Sequence, residues 1–176
     1  MDYINLGLDI NTECIAYAFA DKGYVREMGT IPFKSVTHET RAKDRLPHVF
    51  RAVQELDKVR VGLIPSVPNL TREITRVRME EPVIGPGARA SMMVGMFNGA
   101  VYGCLSGAGY EIEILHPSTW KADLRAVLEY PAGIRSKQQI VDALKGVPGL
   151  AERIKKYPKG VQQDIYDAVG LALGGQ

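Results

Sequence analysis

The sequence predicts an α/β domain built around a mixed sheet. Three short apolar runs near the start are separated by tight turns, the pattern of an antiparallel meander. Further along, strand-like runs alternate with longer segments of helical periodicity, the pattern of strands joined by packed helices. At 176 residues the chain reads as one domain, 1–176, long enough to close a substantial core, and its apolar fraction of 45 % favours folding over disorder.

Tyr3 to Ile10 predicts the first strand and Cys14 to Phe19 the second, with Asn11 and Thr12 turning the chain between them. Asp21-Lys22-Gly23 marks the next turn, and Tyr24 to Ile31 completes the meander. Thr40 to Leu56 places Leu46, Val49, Phe50, Val53 and Leu56 at helical spacing. Pro47 suits a first helical turn, so that helix is expected to begin near Asp44. Val59 to Ile64 reads as a strand start or a loop, and Ile74 to Met79 as a strand running into Glu80-Glu81-Pro82.

After a VIGPG loop, a helix from Ala88 carries Gly95, Gly99, Gly103 and Gly107 at four-residue intervals. Such a ridge lets either the sheet or a second helix come close, while the glycines weaken the helix in isolation. Tyr110 to Leu115 supplies a further strand. His116-Pro117-Ser118 then turns the chain, and Ser118 or Thr119 is expected to cap a short helix through Val127. Ser136 precedes a helix with Ile140, Val141 and Leu144, Val147 to Pro158 reads as irregular, and Gln162 to Leu173 forms the last helix, stopped by Gly174-Gly175.

The formal net charge of +2, from 22 basic and 20 acidic residues, neither requires nor excludes an anionic partner. Between Arg135 and Lys159, however, seven basic residues face only Asp142 and Glu152. A solvated face and a phosphate-binding surface both fit that run. Cys14 and Cys104 lie in apolar surroundings without metal spacing or a secretory leader, which predicts free thiols in a reducing compartment. Ala90 to Ala108 is apolar, but Asn98 and the interspersed glycines and serines favour a packed helix over a membrane span.

Two carboxylates in the last helix raise the functional question. Asp164 and Asp167 are three apart and therefore share a helical face, in a segment otherwise rich in Ile, Val, Leu and Ala. An exposed stripe would accommodate them, whereas partial burial demands cations or other compensation. Asp9, near the end of the apolar run INLGLDI, has little structural use there, and Glu80 stands in a matching position at the end of VRMEEP. Four carboxylates from two strand ends and one helix suit hard divalent cations. Paired ions about 4 Å apart activate water and stabilise a leaving phosphate oxygen. No Cys/His cluster indicates zinc, and no Walker motif indicates nucleotide hydrolysis.

In this order and context the segments GLDIN, RMEEP, MMVGMFNGAVYG, TWKADL, GIRSKQQIVDAL and DIYDAVGLAL resemble the RuvC family of Holliday junction resolvases over nearly the whole chain. The resemblance is closer to phage-like or divergent members than to the bacterial enzyme. It implies a ribonuclease H-like fold with a central mixed five-stranded sheet flanked by helices. It also implies metal-assisted hydrolysis of DNA phosphodiesters, leaving nicks with 5′ phosphates. Asp9 would bridge two Mg²⁺ ions, with Mn²⁺ as a substitute, and Glu80, Asp164 and Asp167 would complete the ligand set. Glu80 is favoured over Glu81 by its motif position, because only one of two neighbouring strand residues faces a given side.

Lys121 and Lys137 match the basic motifs and are expected on the phosphate side of the site. Arg89, Arg135, Arg153, Lys155, Lys156 and Lys159 are candidates to extend the DNA surface, positioning the backbone rather than reading sequence. The VIGPGARA segment lacks the aromatic wedge of some relatives, and the alternatives Phe50 and Phe97 both read as core. His116 reads as structural, and Trp120 as an anchor at the core edge. The expected partners are branched DNA, above all four-way junctions, and a second copy in a two-fold homodimer through the glycine-bearing helix. No membrane is expected, and the compartment is the cytoplasm, or the host's if the chain is phage-encoded. A broader branched-DNA nuclease and a non-catalytic junction-binding protein are the alternative functions.

Overall fold

The computed structural model describes residues 4–33, 42–63, 75–82 and 88–175. The VIGPG loop at 83–87 falls outside them, as do Tyr3, the first residues of the predicted Thr40–Leu56 helix, Ile64 and Ile74.

Five strands form one sheet: β1 (Ile4–Ile10), β2 (Cys14–Asp21), β3 (Tyr24–Pro32), β4 (Thr75–Glu80) and β5 (Glu111–Leu115), in the order β3-β2-β1-β4-β5. The meander β1-β2-β3 is antiparallel, while β4 pairs parallel with both β1 and β5. Lys22 and Gly23 make the two-residue β2–β3 turn with φ of 49° and 78°. Positive φ at both central residues suits the twist of the flanking strands.

Alternation along the strands separates two layers. Ile4, Leu6, Leu8 and Ile10 of β1 join Ile15, Tyr17, Phe19, Val77 and Met79 on one face, against α2 (Val49–Leu63) and α3 (Ala88–Gly107). On the other face Ala16, Ala18, Ala20 and Met28 meet α4 (Pro117–Val127), α5 (Lys137–Leu144), α6 (Leu150–Ile154) and α7 (Lys159–Leu173). That second face is made of small residues, so α7 lies directly on the sheet. At Gly7 a Cβ would collide with the Ala168 carbonyl and come within 2.5 Å of the Ala172 nitrogen and 2.9 Å of Leu171 Cβ. Asp9, two residues on, points to the same side as Gly7.

Several elements differ from the sequence expectation. A short helix α1 (Ala42–Arg45) and a 3₁₀ turn, Leu46–His48, precede α2, and Pro47 lies in that turn. The proline lacks the N–H that a continuous α-helix would use there. Val59 to Leu63 is the end of α2, where Val59 and Leu63 pack against the core and tertiary contact overrides a β-branched composition. Phe50 is 60 % exposed and is not core, whereas Phe97 is fully buried. His116, not Ser118 or Thr119, is the N-cap of α4: its ring accepts the Ser118 N–H, and Pro117 occupies the first turn. Leu150–Ile154 is helical within the stretch expected to be irregular, and α7 starts one turn earlier than predicted, immediately after Pro158.

The glycine ridge of α3 faces away from the sheet. Phe97, Val101 and Leu105 make the core contact, and a Cβ at Gly95, Gly99, Gly103 or Gly107 would meet nothing within 4 Å among the described residues.

The contact at Gly7 yields a direct prediction. Gly7→Ala has to push α7 off β1, which is expected to lower stability by about 3 kcal/mol, read as a lower urea midpoint with unchanged slope. Wild-type stability in this variant would contradict the packing.

Candidate active site

Asp9 lies at the end of β1 and Glu80 at the end of β4, and the register that pairs Leu8 with Met79 sets the two carboxylates on neighbouring strands. Both strands run parallel, so their carboxyl ends open on the same edge of the sheet. Val77 and Met79 point into the α2–α3 core, which turns Arg78 and Glu80 towards α7. Glu81 is exposed, and its backbone N–H donates to the Leu115 carbonyl at 2.8 Å. Asp164 and Asp167 come from the exposed-to-buried border of α7: Asp164 is partly buried, and Asp167 is only 9 % exposed.

The electrostatics bind these four residues into one group. Burial pushes the Asp9 carboxyl well above the ordinary carboxylate range, and Asp167, Asp164 and Glu80 each push it further, while Lys137 opposes them. Burial raises Asp167 to about 6, with Glu80 adding to the rise, against the pull of Gln163, Lys137 and Lys121. Asp164 is also raised by burial, and Lys137 and the Asn11 hydrogen bond work against that rise.

Three of the carboxylates are held by neutral donors. Asn11 Nδ2 donates to Asp164 Oδ2 at 3.0 Å, Gln163 Nε2 to Asp167 Oδ1 at 3.0 Å, and Trp120 Nε1 to Glu80 Oε2 at 2.7 Å. Asn11 is itself fixed, because its Oδ1 accepts the backbone N–H groups of Glu13 at 2.7 Å and Cys14 at 2.9 Å. Among the described residues nothing donates a hydrogen bond to Asp9, and no Lys or Arg forms an ion pair with any of the four. Among those residues, too, no three Asp, Glu, His or Cys side chains stand close enough together to hold a metal ion. The donor set is all oxygen, without sulfur or imidazole, and fits Mg²⁺ or Mn²⁺ rather than zinc.

Lys137 is exposed at the first position of α5, behind a capping box in which Ser136 and Gln139 exchange hydrogen bonds. Its charge reaches Asp9, Asp164 and Asp167. Lys121 places Nζ 5.1 Å from the Trp120 ring centre and its charge reaches Asp167. Arg89, Arg135, Lys156 and Lys159 are exposed. Lys155 pairs with Glu152 at 2.6 Å in solvent. Arg153 is engaged internally: it donates to the carbonyls of Val25 at 2.6 Å and Arg26 at 3.2 Å, tying α6 to the edge strand β3.

Like Asn11 and Gln163, Arg78 and Trp120 lie outside the residues singled out from sequence as ligands or DNA contacts. Arg78, 3 % exposed, donates to Glu113 Oε2 at 2.9 Å, Asp123 Oδ2 at 2.9 Å and the Leu171 carbonyl at 3.0 Å. It thereby clamps β4, β5, α4 and α7 around the site. Its signal was its position two residues before Glu80, on the side of the strand opposite Val77 and Met79. Trp120 is fully buried rather than at the core edge, and its ring fits the notch left by Gly170.

No family model matches the sequence, and no curated protein matches it. Solved structures do. A Thermus thermophilus RuvC in complex with a Holliday junction substrate has a TM-score of 0.67 at 19 % identity, covering 98 % of this chain and 92 % of that one. A second Thermus thermophilus RuvC structure has 0.62 at 20 %, covering 97 % and 92 %. The yeast mitochondrial Holliday junction resolvase Ydc2 has 0.59 at 13 %, covering 97 % and 77 %. The likeness is one of fold: the chain has the RuvC-type, ribonuclease H-like architecture, with the expected mixed five-stranded sheet flanked by helices.

The buried charge at Asp167 has a measurable consequence. Its folded value of about 6 lies above the ordinary 3.8, so the folded chain holds a proton that the unfolded chain releases in that window. The stability this proton contributes is fully present below pH 3.8 and is lost as pH rises through 6. Asp167→Asn is therefore expected to stabilise the cation-free protein by about 1–3 kcal/mol at pH 8 and by little at pH 4. Urea unfolding at both pH values checks this, and an equal effect at the two would contradict it.

Proposed function

We propose that this chain is a divalent-cation-dependent endonuclease that resolves four-way DNA junctions. The observation that carries the reading is that Asp167, Asp164 and Glu80 all act on Asp9, with no cationic side chain among the described residues ion-paired to any of the four. The fold is that of RuvC, one of whose structures holds a Holliday junction substrate. Three carboxylates that raise the proton affinity of a buried fourth, Asp9, are costly in a folded protein unless cations relieve them.

Asp9, whose carboxyl feels all three others and has no hydrogen-bond donor among the described residues, would be the ligand common to the bound cations. Glu80 would serve one side and Asp164 and Asp167 the other. When bound, Mg²⁺ or Mn²⁺ supplies water activation and neutralises charge on the leaving 3′ oxygen, so that the product carries a 5′ phosphate. Asn11, Gln163 and Trp120 hold the ligand carboxylates in place without contributing positive charge. Lys137, on a capped helix start, is suited to a phosphate beside the scissile one, and Lys121 to the same flank. Arg89, Arg135, Lys156 and Lys159, with Lys155 after its solvent pair with Glu152 opens, extend a backbone-binding surface. Arg153 contributes by anchoring that region to β3 rather than by reaching DNA.

A junction presents two scissile strands related by approximate two-fold symmetry, which a homodimer matches. The α3 ridge supports that arrangement: its glycines face open space, and Met92, Met96 and Tyr102 beside them are 59 %, 43 % and 42 % exposed. Phe50 borders a groove of about 740 Å³ between α2 and α3 that Gly103, Cys104 and Gly107 also line. An outward apolar face of this kind on a helix whose other side is core suits a second copy.

Two experiments test the proposal. With Mg²⁺ or Mn²⁺, a labelled four-way junction is expected to be nicked in pairs at symmetric positions, with linear duplex and flaps spared. Asp9→Asn should slow cleavage about a thousandfold or more, equivalent to several kcal/mol of transition-state stabilisation. Equal cleavage of all branched substrates would indicate a broader debranching nuclease, and tight junction binding without cleavage would indicate a binding protein. Met96→Glu combined with Gly99→Glu is expected to shift sedimentation from dimer to monomer and to uncouple the paired nicks. A dimer unaffected by these changes would place the interface elsewhere.

A further inference from the structure

Trp120 is the chain's single tryptophan and is fully buried. A buried indole needs an acceptor for its N–H, and the one it has is a carboxylate of the site, Glu80 Oε2, at 2.7 Å. That distance belongs to the short, charge-assisted range. The ring itself cannot drift. A Cβ at Gly170 would lie 2.8 Å from Trp120 Cζ3 and 3.5 Å from Cη2, so the α7 backbone forms the wall of its slot. On another side Lys121 Nζ stands 5.1 Å from the ring centre.

One indole therefore links the helix that carries Asp164 and Asp167, the strand end that carries Glu80, and a lysine on the phosphate side. A phenyl ring would occupy most of the same slot at the cost of a small cavity, so an aromatic filler alone does not account for the N–H, which is why a packing control is needed beside it. An Arg or Lys in its place would neutralise Glu80 and compete with a cation, whereas an indole donor orients the carboxylate and leaves its charge intact. With Oε2 engaged, Oε1 accepts no hydrogen bond among the described residues.

We infer that Trp120 is a positioning residue: it locks Glu80 with Oε2 occupied and Oε1 presented to a divalent cation, and takes its own position from Gly170. The inference rests on the reading of the four carboxylates as a cation site.

The test compares wild type, Trp120→Phe and Ile154→Ala, the last a packing control in the same core cluster. Mn²⁺ binding is measured by calorimetry without DNA, on folded protein. Trp120→Phe is expected to weaken Mn²⁺ binding about 10-fold, while Ile154→Ala is less stable but binds as wild type does. In wild type, Mg²⁺ is expected to change the emission of Trp120 with the midpoint that a parallel Mg²⁺ calorimetric titration gives, which keeps the inference testable even if Trp120→Phe fails to fold. Undiminished Mn²⁺ affinity in a folded Trp120→Phe would overturn the positioning role and leave the cation site standing, as would unchanged emission at Mg²⁺ saturation. Absence of Mn²⁺ binding by wild type would overturn the cation site itself, and the inference with it.

Discussion

Everything at the site depends on how closely α7 approaches β1. The missing side chain at Gly7 brings the backbone of Ala168 to Ala172 against the strand. The alanines of β2 keep the neighbouring surface low enough for the same helix to lie flat. Asp164 and Asp167 ride on that helix, and Asp9 follows Gly7 by two positions on the same side of the sheet. A bulkier residue at either contact would separate the carboxylates before it touched any of them. Gly170 repeats the device on the opposite side of α7, where it admits the ring that holds Glu80.

This packing stores an electrostatic cost. Asp9 and Asp167, raised by burial and by neighbouring carboxylates, oppose folding at neutral pH when ionised. The surroundings limit the cost without removing the charge, using amide and indole donors where an ion-paired structural site would use arginine. Arg78 makes the contrast within the same sheet. It is more deeply buried than any of the four carboxylates, yet it is paired to Glu113 and Asp123 and caps the Leu171 carbonyl. Compensated charge knits the scaffold, while the carboxylates on the same face of the sheet have only neutral hydrogen-bond donors among the described residues.

Much of this was legible in the sequence because its physical causes are local. INLGLDI alternates large apolar residues with Asn, Gly and Asp, so both the strand and the odd placement of Asp9 could be read directly. Ser136 announced the start of α5, though its capping partner Gln139 was not read, and the Asp164–Asp167 spacing announced a shared face. What escaped depends on distant contacts. Val59 to Leu63 has a strand's composition, but the core beneath it extends α2. Phe50 fits a helical stripe whose neighbours are buried, yet it lies at the rim beside the α3 groove. Arg153 belongs to a basic run by composition, and only the fold brings it to the carbonyls of β3, more than a hundred residues earlier in the chain. The acceptor of the Trp120 indole is 40 residues away and equally invisible to local spacing.

The proposed assembly of the four carboxylates by Gly7 and α7 into a site for divalent cations is open to direct crystallographic test. Crystals soaked in Mn²⁺ and recorded at the metal's anomalous edge test it most directly. The account predicts two anomalous peaks about 4 Å apart, with Asp9 between them, Glu80 on one and Asp164 or Asp167 on the other. Crystals of the intact, folded protein with no peak at these side chains, or with Mn²⁺ bound only elsewhere, would contradict it.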